Sequence, residues 1–195
     1  ALEARGETVI RNGSRGMLWM EPLVERADER HGPRMGWSNV TAGQIHAGLP
    51  DQHADNFIGV VEEVDYLAKQ NRWIYERVGI TDPVDPEDYV AHGGLTGLKN
   101  ALAMSGSNVV QAVTDSGLRG RGGAGFPAGI KWRTVADQLP APHAGESPSA
   151  PAHKYICENA EEGDSGTFAD RMLMEGDPFC LLEGMTIAAH AVGAD

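Results

Sequence analysis

One segment of the chain combines residue types that suit phosphate binding. Residues 117–129 contain GRGGAG, which satisfies G-x-G-x-x-G, and Phe126 and Lys131 lie just beyond it. Glycines let backbone N–H groups approach a phosphate closely, and a helix that starts after them adds its positive N-terminal end. Because a helical pattern rather than an apolar strand precedes it, the loop alone leaves phosphate binding and an ordinary flexible loop both open.

A second segment, about 30 residues later, concentrates negative charge. Residues 154–158 read as a buried strand, and Glu161, Glu162 and Asp164 follow within the polar residues 159–167. Carboxylates grouped after a strand can line a binding site. The same composition is equally typical of a solvated acidic turn, so this segment alone does not decide between them.

Three other chemistries fit the sequence poorly. Residues 119–123 (RGRGG) resemble an RNA-binding RGG segment, but only one copy occurs and the chain is acidic. Residues 163–166 (GDSG) imitate a serine protease nucleophile, yet His190 follows the serine instead of preceding it. The seven histidines have no metal-ligand spacing, so we expect no metal site.

The composition limits the class of protein. With 28 Asp and Glu against 16 Lys and Arg, the 195-residue chain carries a formal net charge of −12, which disfavours nucleic acid and anionic membranes as partners. No apolar run approaches the roughly 18 to 20 residues of a membrane span. Cys157 and Cys180 form neither a disulfide framework nor a CxxC pair, so a cytoplasmic location is expected.

Local signals predict the following elements. Residues 7–24 suggest two strands joined by a turn at Asn12-Gly13-Ser14, Thr41 suits the N-cap of a helix through Leu49, and residues 50–80 suggest a linker. Three helices are predicted next: a short one from Pro86, one that ends at Gly106 and has Leu95, Leu98 and Leu102 on one face, and one that is capped by Ser107 and closed by Gly117. After the glycine loop, a helix is predicted from about Ile130 and a surface loop over 139–153. A last helix is predicted from Pro178 through Val192.

The two segments taken together resemble a known family. SGLRGRGGAGFPAGIKW, followed by ENAEEGDSGTFADR, resembles the NADH- and FMN-binding flavoprotein subunits, which include the complex I flavoprotein subunit, the diaphorase subunit of NAD-linked hydrogenases and the beta subunit of NAD-dependent formate dehydrogenase. Asp88-Tyr89 followed by Gly93-Gly94 is a further recurring family feature. The sequence GDSGTFADRMLMEGDPF looks most like the formate dehydrogenase branch.

The resemblance implies a set of cofactor-binding residues and no catalytic side chain. The glycine-rich residues would line the phosphate region, Phe126 would stack on the adenine of NAD(H), Lys131 would hydrogen-bond to the flavin, and the acidic segment would face the flavin ring and the nicotinamide. The implied residues are Gly120, Arg121, Gly122, Gly123, Ala124, Phe126, Lys131, Asn159, Glu161, Glu162 and Asp164.

The sequence departs from the family pattern at several positions. Glu161 stands in place of an aspartate, Asp164 in place of a glutamate and Ser165 in place of a proline, while Thr134 replaces a second aromatic. Near the N-terminus, Ser14 and Leu18 occupy the two positions where a thioredoxin-like ferredoxin pattern has cysteines. Since iron–sulfur clusters are held by thiolates, we expect a thioredoxin-like remnant without a cluster.

The expected fold class is α/β, with a partial thioredoxin-like unit (1–55), a linker (56–80) and the first part of a Rossmann-like FMN/NADH-binding domain (81–195). The implied function is transfer of hydride and electrons between NAD(H) and FMN within a formate dehydrogenase-type complex that has iron–sulfur and molybdenum or tungsten subunits. A hydrogenase diaphorase, a complex I-type subunit and a non-catalytic scaffold fragment are the alternatives. A [4Fe–4S] cluster is expected only in a part of the polypeptide beyond this sequence.

Overall fold

The computed structural model describes residues 1–27, 32–48, 51–138 and 153–194. The chain divides into two compact units: the first comprises Ala1–Val84 and Arg171–Asp177, and the second comprises Asp85–Asp170 and Pro178–Asp195. The predicted loop over 139–153 lies almost wholly outside the described residues. The domain boundaries at 55 and 80 remain a prediction.

Among the described residues, strands occur in the first unit and longer helices in the second. The first unit contains β1 (Val24–Ala27), β2 (Arg34–Trp37), α1 (Ala42–Ala47), β3 (Phe57–Val60) and α2 (Asp65–Ala68), with short 3₁₀ helices at Glu3–Arg5, Leu18–Met20 and Val61–Glu63. The remaining helices are α3 (Pro86–Ala91), α4 (Thr96–Leu102), α5 (Gly106–Asp115), α6 (Ala128–Asp137), α7 (Ala169–Gly176, which carries residues of both units) and α8 (Pro178–Val192). The α/β class is confirmed.

The sheet of the first unit is antiparallel, with β2 between β1 and β3. Trp37 of β2 is buried opposite Val24 of β1. At Gly36 a Cβ atom would lie 2.5 Å from a methyl carbon of Val61, so glycine lets the 3₁₀ helix that follows β3 pack closely on the sheet. Val61 also belongs to the buried cluster of this unit, together with Met17 and Leu67.

The predicted hairpin over residues 7–24 is wrong. Residues 7–17 form no strand, and β1 begins only at Val24. The turn residues instead contact distant parts of the first unit: the side-chain amide of Asn12 donates to the carbonyl of Thr81 at 2.7 Å. A Cβ on Gly13 would lie 2.8 Å from the Cβ of Glu175. Contacts with residues far along the chain therefore replace the local strand pairing that the turn signal predicts.

The next segments follow local signals more closely. Thr41 caps α1 as predicted: its hydroxyl accepts from the N–H of Gln44 at 3.3 Å, and the Gln44 side chain accepts from the Thr41 N–H at 2.9 Å. This is a capping box, and it defines the start of the helix. The helix ends at Ala47, and Leu49 lies outside the described residues. Strand β3 falls within the residues that sequence patterns assign to a linker.

The helices of the second unit pack around a small apolar core. Pro86 opens α3, and α8 runs from Pro178 to Val192, as predicted. The capping residue of α5 differs from the prediction, because Ser105 rather than Ser107 accepts from the Asn108 N–H at 3.3 Å. Gly106 is therefore the first residue of α5 and not the end of α4. The core residues are Ala101, Val109, Val110, Ala191 and Val192.

The strand predicted over residues 154–158 is not formed as a paired strand among the described residues. The segment is extended enough that Lys154 and Ile156 are half-buried while Tyr155 and Cys157 are exposed, which is the alternation typical of a strand. Ile156 packs against the helical core of the second unit. The apolar pattern thus predicts which side chains of this segment are buried, although they pack against helices and not within a sheet.

A partly buried ion cluster in the first unit gives a pH-dependent prediction. A guanidinium nitrogen of Arg15 donates to Glu25 at 2.7 Å and to Glu62 at 3.2 Å. Burial raises the pKa of Glu25 above its ordinary value of 4.5, although Arg15 works to lower it. A carboxyl group whose pKa is raised in the folded chain contributes to stability at pH values below its ordinary pKa. That contribution is lost as the pH rises through the raised pKa.

We therefore expect the free energy of unfolding of the wild-type chain to fall relative to that of Glu25→Gln as pH rises above 4.5. Urea unfolding of both chains at several pH values between about 4.5 and 7.5 measures the difference. Glu62 titrates in both proteins, so its contribution largely cancels. A difference that stays constant across this range would contradict the assignment.

Candidate functional site

The glycine-rich loop connects α5 to α6 and is closed at its base by hydrogen bonds. The N–H of Gly120 donates to the carbonyl of Phe126 at 2.9 Å, and the N–H of Ala128 donates to that of Leu118 at 2.8 Å. The guanidinium of Arg119 also donates to the carbonyl of Gly125 at 2.9 Å. These bonds hold residues 121–125 as a projecting tip.

The glycines of the tip leave an open backbone surface. A Cβ on Gly122, Gly123 or Gly125 would meet no heavy atom within 4 Å, so packing within the chain does not require glycine at these positions. Gly123 and Gly125 have φ values of +116° and +61°, which glycine adopts without strain. At Gly122, neither a close packing contact nor a positive φ value requires glycine. Within the described part of the chain, the backbone N–H groups of residues 121–125 donate no hydrogen bond. The tip therefore carries unengaged backbone N–H groups, which are the donors that a phosphate-binding loop uses.

A close helix contact fixes the start of α6 behind the loop. Gly129 is buried, and a Cβ at this position would lie 2.3 Å from the hydroxyl oxygen of Thr114 and 2.6 Å from its Cα. Only glycine lets α6 approach the end of α5 so closely. The G-x-G-x-x-G motif does not predict this packing role of Gly129. A glycine inside a helical pattern is nevertheless itself a signal of close packing.

Phe126 and Lys131 lie together at the start of α6. The ammonium nitrogen of Lys131 is 5.9 Å from the centroid of the Phe126 ring, at the outer limit of a cation–π contact. Phe126 is 46% exposed and Lys131 is exposed as well. Arg121 also lies exposed, at the tip of the loop. The loop therefore presents an aromatic face and two cations next to a helix N-terminus, a donor set suited to an anionic ligand with an aromatic ring.

The acidic segment is ordered by hydrogen bonds to its own backbone. The side-chain oxygen of Asn159 accepts from the N–H of Glu161 at 3.1 Å, and a carboxylate oxygen of Glu162 accepts from the N–H of Asp170 at 3.0 Å, in the first turn of α7. The carbonyl of Asp164 accepts from the N–H of Thr167 at 3.1 Å. The carboxylates of Glu161 and Asp164 stay at the exposed surface.

The structure brings the predicted site residues together in two groups. Phe126 contacts Lys131, and Asn159 bonds to Glu161, but among the described residues no hydrogen bond or ion pair joins one pair to the other. Both groups belong to the second unit. A cavity of about 520 Å³ lies elsewhere, in the first unit beside Arg15, and none of the predicted site residues lines it.

Sequence reasoning missed Glu183, which contacts Tyr89 of the Asp88-Tyr89 and Gly93-Gly94 feature. The carboxylate of Glu183, on α8, accepts from the hydroxyl of Tyr89 at 2.5 Å and from the N–H of Leu95 at 2.7 Å. It also accepts from the N–H of Leu98 at 2.9 Å. A Cβ on Gly94 would lie 2.3 Å from the Tyr89 ring. Tyr89 and Gly94 of this feature therefore take part in the packing of α3, α4 and α8.

Comparison with known proteins finds a family match over the site region. Residues 113–195, which contain both the glycine loop and the acidic segment, match the Nuo51 FMN-binding domain family. The resemblance to NADH- and FMN-binding flavoprotein subunits is confirmed. The predicted FMN cofactor agrees with the description of this family. The unengaged N–H groups of the glycine loop, together with Arg121 and Lys131, are a chemically suitable donor set for the phosphate and ring of FMN.

Individual relatives agree with the family match. The chain is 46% identical over 108 residues to a subunit of the NADH-quinone oxidoreductase of Rhizobium meliloti (strain 1021), covering 55% of this chain and 23% of that protein. It is 43% identical over 130 residues to the HndC subunit of the NADP-reducing hydrogenase of Solidesulfovibrio fructosivorans, covering 65% and 23%. The chain thus spans about a quarter of the length of these relatives.

A solved structure of an NAD⁺-reducing [NiFe]-hydrogenase in the air-oxidised state is also similar. The alignment covers 82% of this chain and 25% of that one, with 31% identity and a TM-score of 0.44.

Metal-ligating clusters and membrane-spanning helices are both absent from the described part of the chain. Among these residues, no group of three or more histidine, cysteine, aspartate or glutamate side chains is placed to hold a metal ion. Over the same ranges, no helix has the length and apolar character needed to cross a membrane.

Proposed function

We propose that the second unit forms one wall of a site where FMN and NAD(H) meet. The observation that carries this proposal is the tip of the glycine loop, where backbone N–H groups are free to donate and no packing contact accounts for Gly122. The family match over residues 113–195 supports FMN as the ligand. Bound FMN would supply the redox chemistry, the exchange of hydride with NAD(H), so that the chain itself needs no nucleophile or general acid.

Backbone N–H groups and side chains of the wall would bind and orient the two cofactors. Gly120, Arg121, Gly122, Gly123 and Ala124 would line the phosphate region. The N–H groups of residues 121–124 and the charge of Arg121 would hold the phosphates, while the N–H of Gly120 donates to the carbonyl of Phe126 and closes the loop behind them. Phe126 would stack on the adenine, and its 46% exposure leaves a ring face for that contact. Lys131 would donate to the flavin. Asn159, Glu161, Glu162 and Asp164 would face the flavin ring and the nicotinamide.

Charge on the wall would influence the redox balance of the flavin. Carboxylates beside the ring disfavour additional negative charge, whereas Lys131 favours it. Two unit charges about 4 Å apart interact by roughly 4 kcal/mol at an effective dielectric constant near 20. The balance between Lys131 and the acidic segment is therefore large enough to affect the flavin potential.

Replacing Lys131 by alanine is expected to weaken FMN binding by about ten- to a hundredfold, because a hydrogen bond from a charged donor contributes roughly 1.5 to 3 kcal/mol. Fluorescence titration of the deflavinated full-length protein with FMN measures the dissociation constant. Lys99→Ala is the matched control, since Lys99 is an exposed lysine of α4 in the same unit. Equal FMN affinity of the two variants would remove Lys131 from the site.

We further propose that the protein works in the cytoplasm, in an NAD-dependent formate dehydrogenase with iron–sulfur and molybdenum or tungsten subunits. The sequence GDSGTFADRMLMEGDPF favours this branch. The similarity to a hydrogenase component favours a hydrogenase diaphorase as the second candidate. Purified complex that reduces NAD⁺ with formate supports the first, and reduction with hydrogen alone supports the second. A non-catalytic scaffold would reduce NAD⁺ with neither.

A further inference from the structure

A lysine outside the family motifs links three parts of the second unit. The ammonium nitrogen of Lys154 donates to the carbonyl of Ala136 at 3.1 Å and to the carbonyl of Val192 at 2.9 Å. Ala136 lies in the last turn of α6, and Val192 is the last residue of α8. Lys154 itself begins the extended segment that leads to Asn159.

The chemistry of lysine suits this position. The last carbonyls of a helix have no partner inside the helix and lie at the negative end of its dipole. One ammonium group satisfies such carbonyls on two helices at once and brings the favourable charge. Two residues later, Ile156 packs against the apolar core that α6 and α8 help to form. The segment is thereby attached at two points.

The two attachments connect the halves of the candidate site. Helix α6 carries Lys131 one to two turns before Ala136, a rise of about 7.5 Å. The extended chain from Lys154 to Glu161 can cover up to about 25 Å. That length is enough for the acidic segment to run from the end of α6 to the level of Lys131. The position at which the segment starts, and hence its reach, is set by Lys154.

We propose that Lys154 is a positioning residue for the FMN and NAD(H) site: it fixes the start of the acidic segment relative to α6, which carries Lys131. This inference rests on the function proposed above. Lys154 contacts neither cofactor. It acts through the placement of Asn159, Glu161 and Glu162 against the flavin and nicotinamide.

The test uses the full-length protein in its complex, with Lys154→Met, Lys154→Gln and Lys154→Arg. Misplacement of a reacting group by about 1 Å can reduce the rate up to a hundredfold. We expect the Met variant, saturated with FMN, to lose at least about tenfold in kcat/KM for NADH. Arginine can reach and donate to both carbonyls, so the Arg variant should recover most of the loss. Lys99→Met, which removes the same charge from an exposed site, should behave as wild type.

The controls separate positioning from folding and from the proposed function. If the Met variant does not fold, the Gln variant is measured instead: it keeps an uncharged N–H donor group on a shorter side chain, and a loss of kcat/KM is still expected. Wild-type kinetics in the Met or Gln variant would overturn the role of Lys154, as would an Arg variant no better than Met. If the wild-type protein itself binds no flavin, the proposed function fails, irrespective of Lys154.

Discussion

Replacing Glu183 by alanine is expected to lower the free energy of unfolding by about 3 kcal/mol. The variant removes the acceptor of three hydrogen bonds, from Tyr89, Leu95 and Leu98. Leu95 is the N-cap residue of α4, with φ of +62°, and offers no side-chain cap of its own. Glu183 therefore serves as the cap from a neighbouring helix. Loss of a cap costs about 1 kcal/mol, and hydrogen bonds to a charged group contribute roughly 1.5 to 3 kcal/mol.

Urea unfolding of the chain measures this loss, and a double-mutant cycle with Tyr89→Phe separates the contribution of the tyrosine hydroxyl. Tyr89→Phe alone should cost about 1 kcal/mol. The coupling between the two substitutions should be clearly above zero, since the hydroxyl and the carboxylate are in direct contact. Glu87→Ala, at an exposed glutamate of α3, is the matched control and should change stability little. A Glu183→Ala variant as stable as that control would contradict the cap.

A still larger loss is expected for Asp177→Ala, about 3 to 5 kcal/mol, because the substitution breaks a buried ion pair from one side. The carboxylate of Asp177 is 1% exposed and lies 2.9 Å from the guanidinium nitrogen of Arg77. Both residues belong to the first unit. Removing the carboxylate leaves the Arg77 charge, only 19% exposed, without this partner. The desolvated guanidinium is then the main cost.

The matched control is Asp65→Ala, which breaks an exposed ion pair with Lys69 in the same unit. The side chains of this pair are 84% and 74% exposed, so the expected cost is only about 0.5 kcal/mol. Thermal and urea unfolding of the two variants give the comparison. Similar losses in both would mean that burial of Asp177 does not determine its contribution.

Local sequence signals predict element starts well where the decisive contacts are local. Thr41 and Gln44 form a capping box within four residues, and Pro86 and Pro178 each begin a helix. In each case the chemistry of one or two neighbouring residues defines the first turn. Such signals are present in the sequence without any knowledge of the rest of the fold.

Contacts between distant residues account for the predictions that are wrong. Asn12 and Gly13 look like a hairpin turn, but their partners are Thr81 and Glu175, far along the chain. The segment that contains β3 lacks clear apolar periodicity, and the strand is paired with β2, about 20 residues earlier in the chain. Propensity and spacing carry no information about such partners, so these parts of the fold could not be predicted.

The candidate site divides in the same way. The glycine loop and the acidic segment are continuous motifs, so the sequence alone reveals their resemblance to the family that residues 113–195 match. The residues that hold these motifs in place are scattered along the chain and escape a motif search: Gly129 faces Thr114, and Lys154 faces the ends of α6 and α8. A lysine or a glycine outside a motif has no pattern that would reveal its partner.

The most direct test of the account is the flavin absorbance of the intact assembly that contains this protein, followed during anaerobic addition of NADH. We expect the purified assembly to contain bound FMN and its absorbance to be bleached by NADH, since the glycine loop and acidic segment would place both cofactors at one site. An intact assembly without flavin, or one whose flavin is not reduced by NADH, would contradict the central claim.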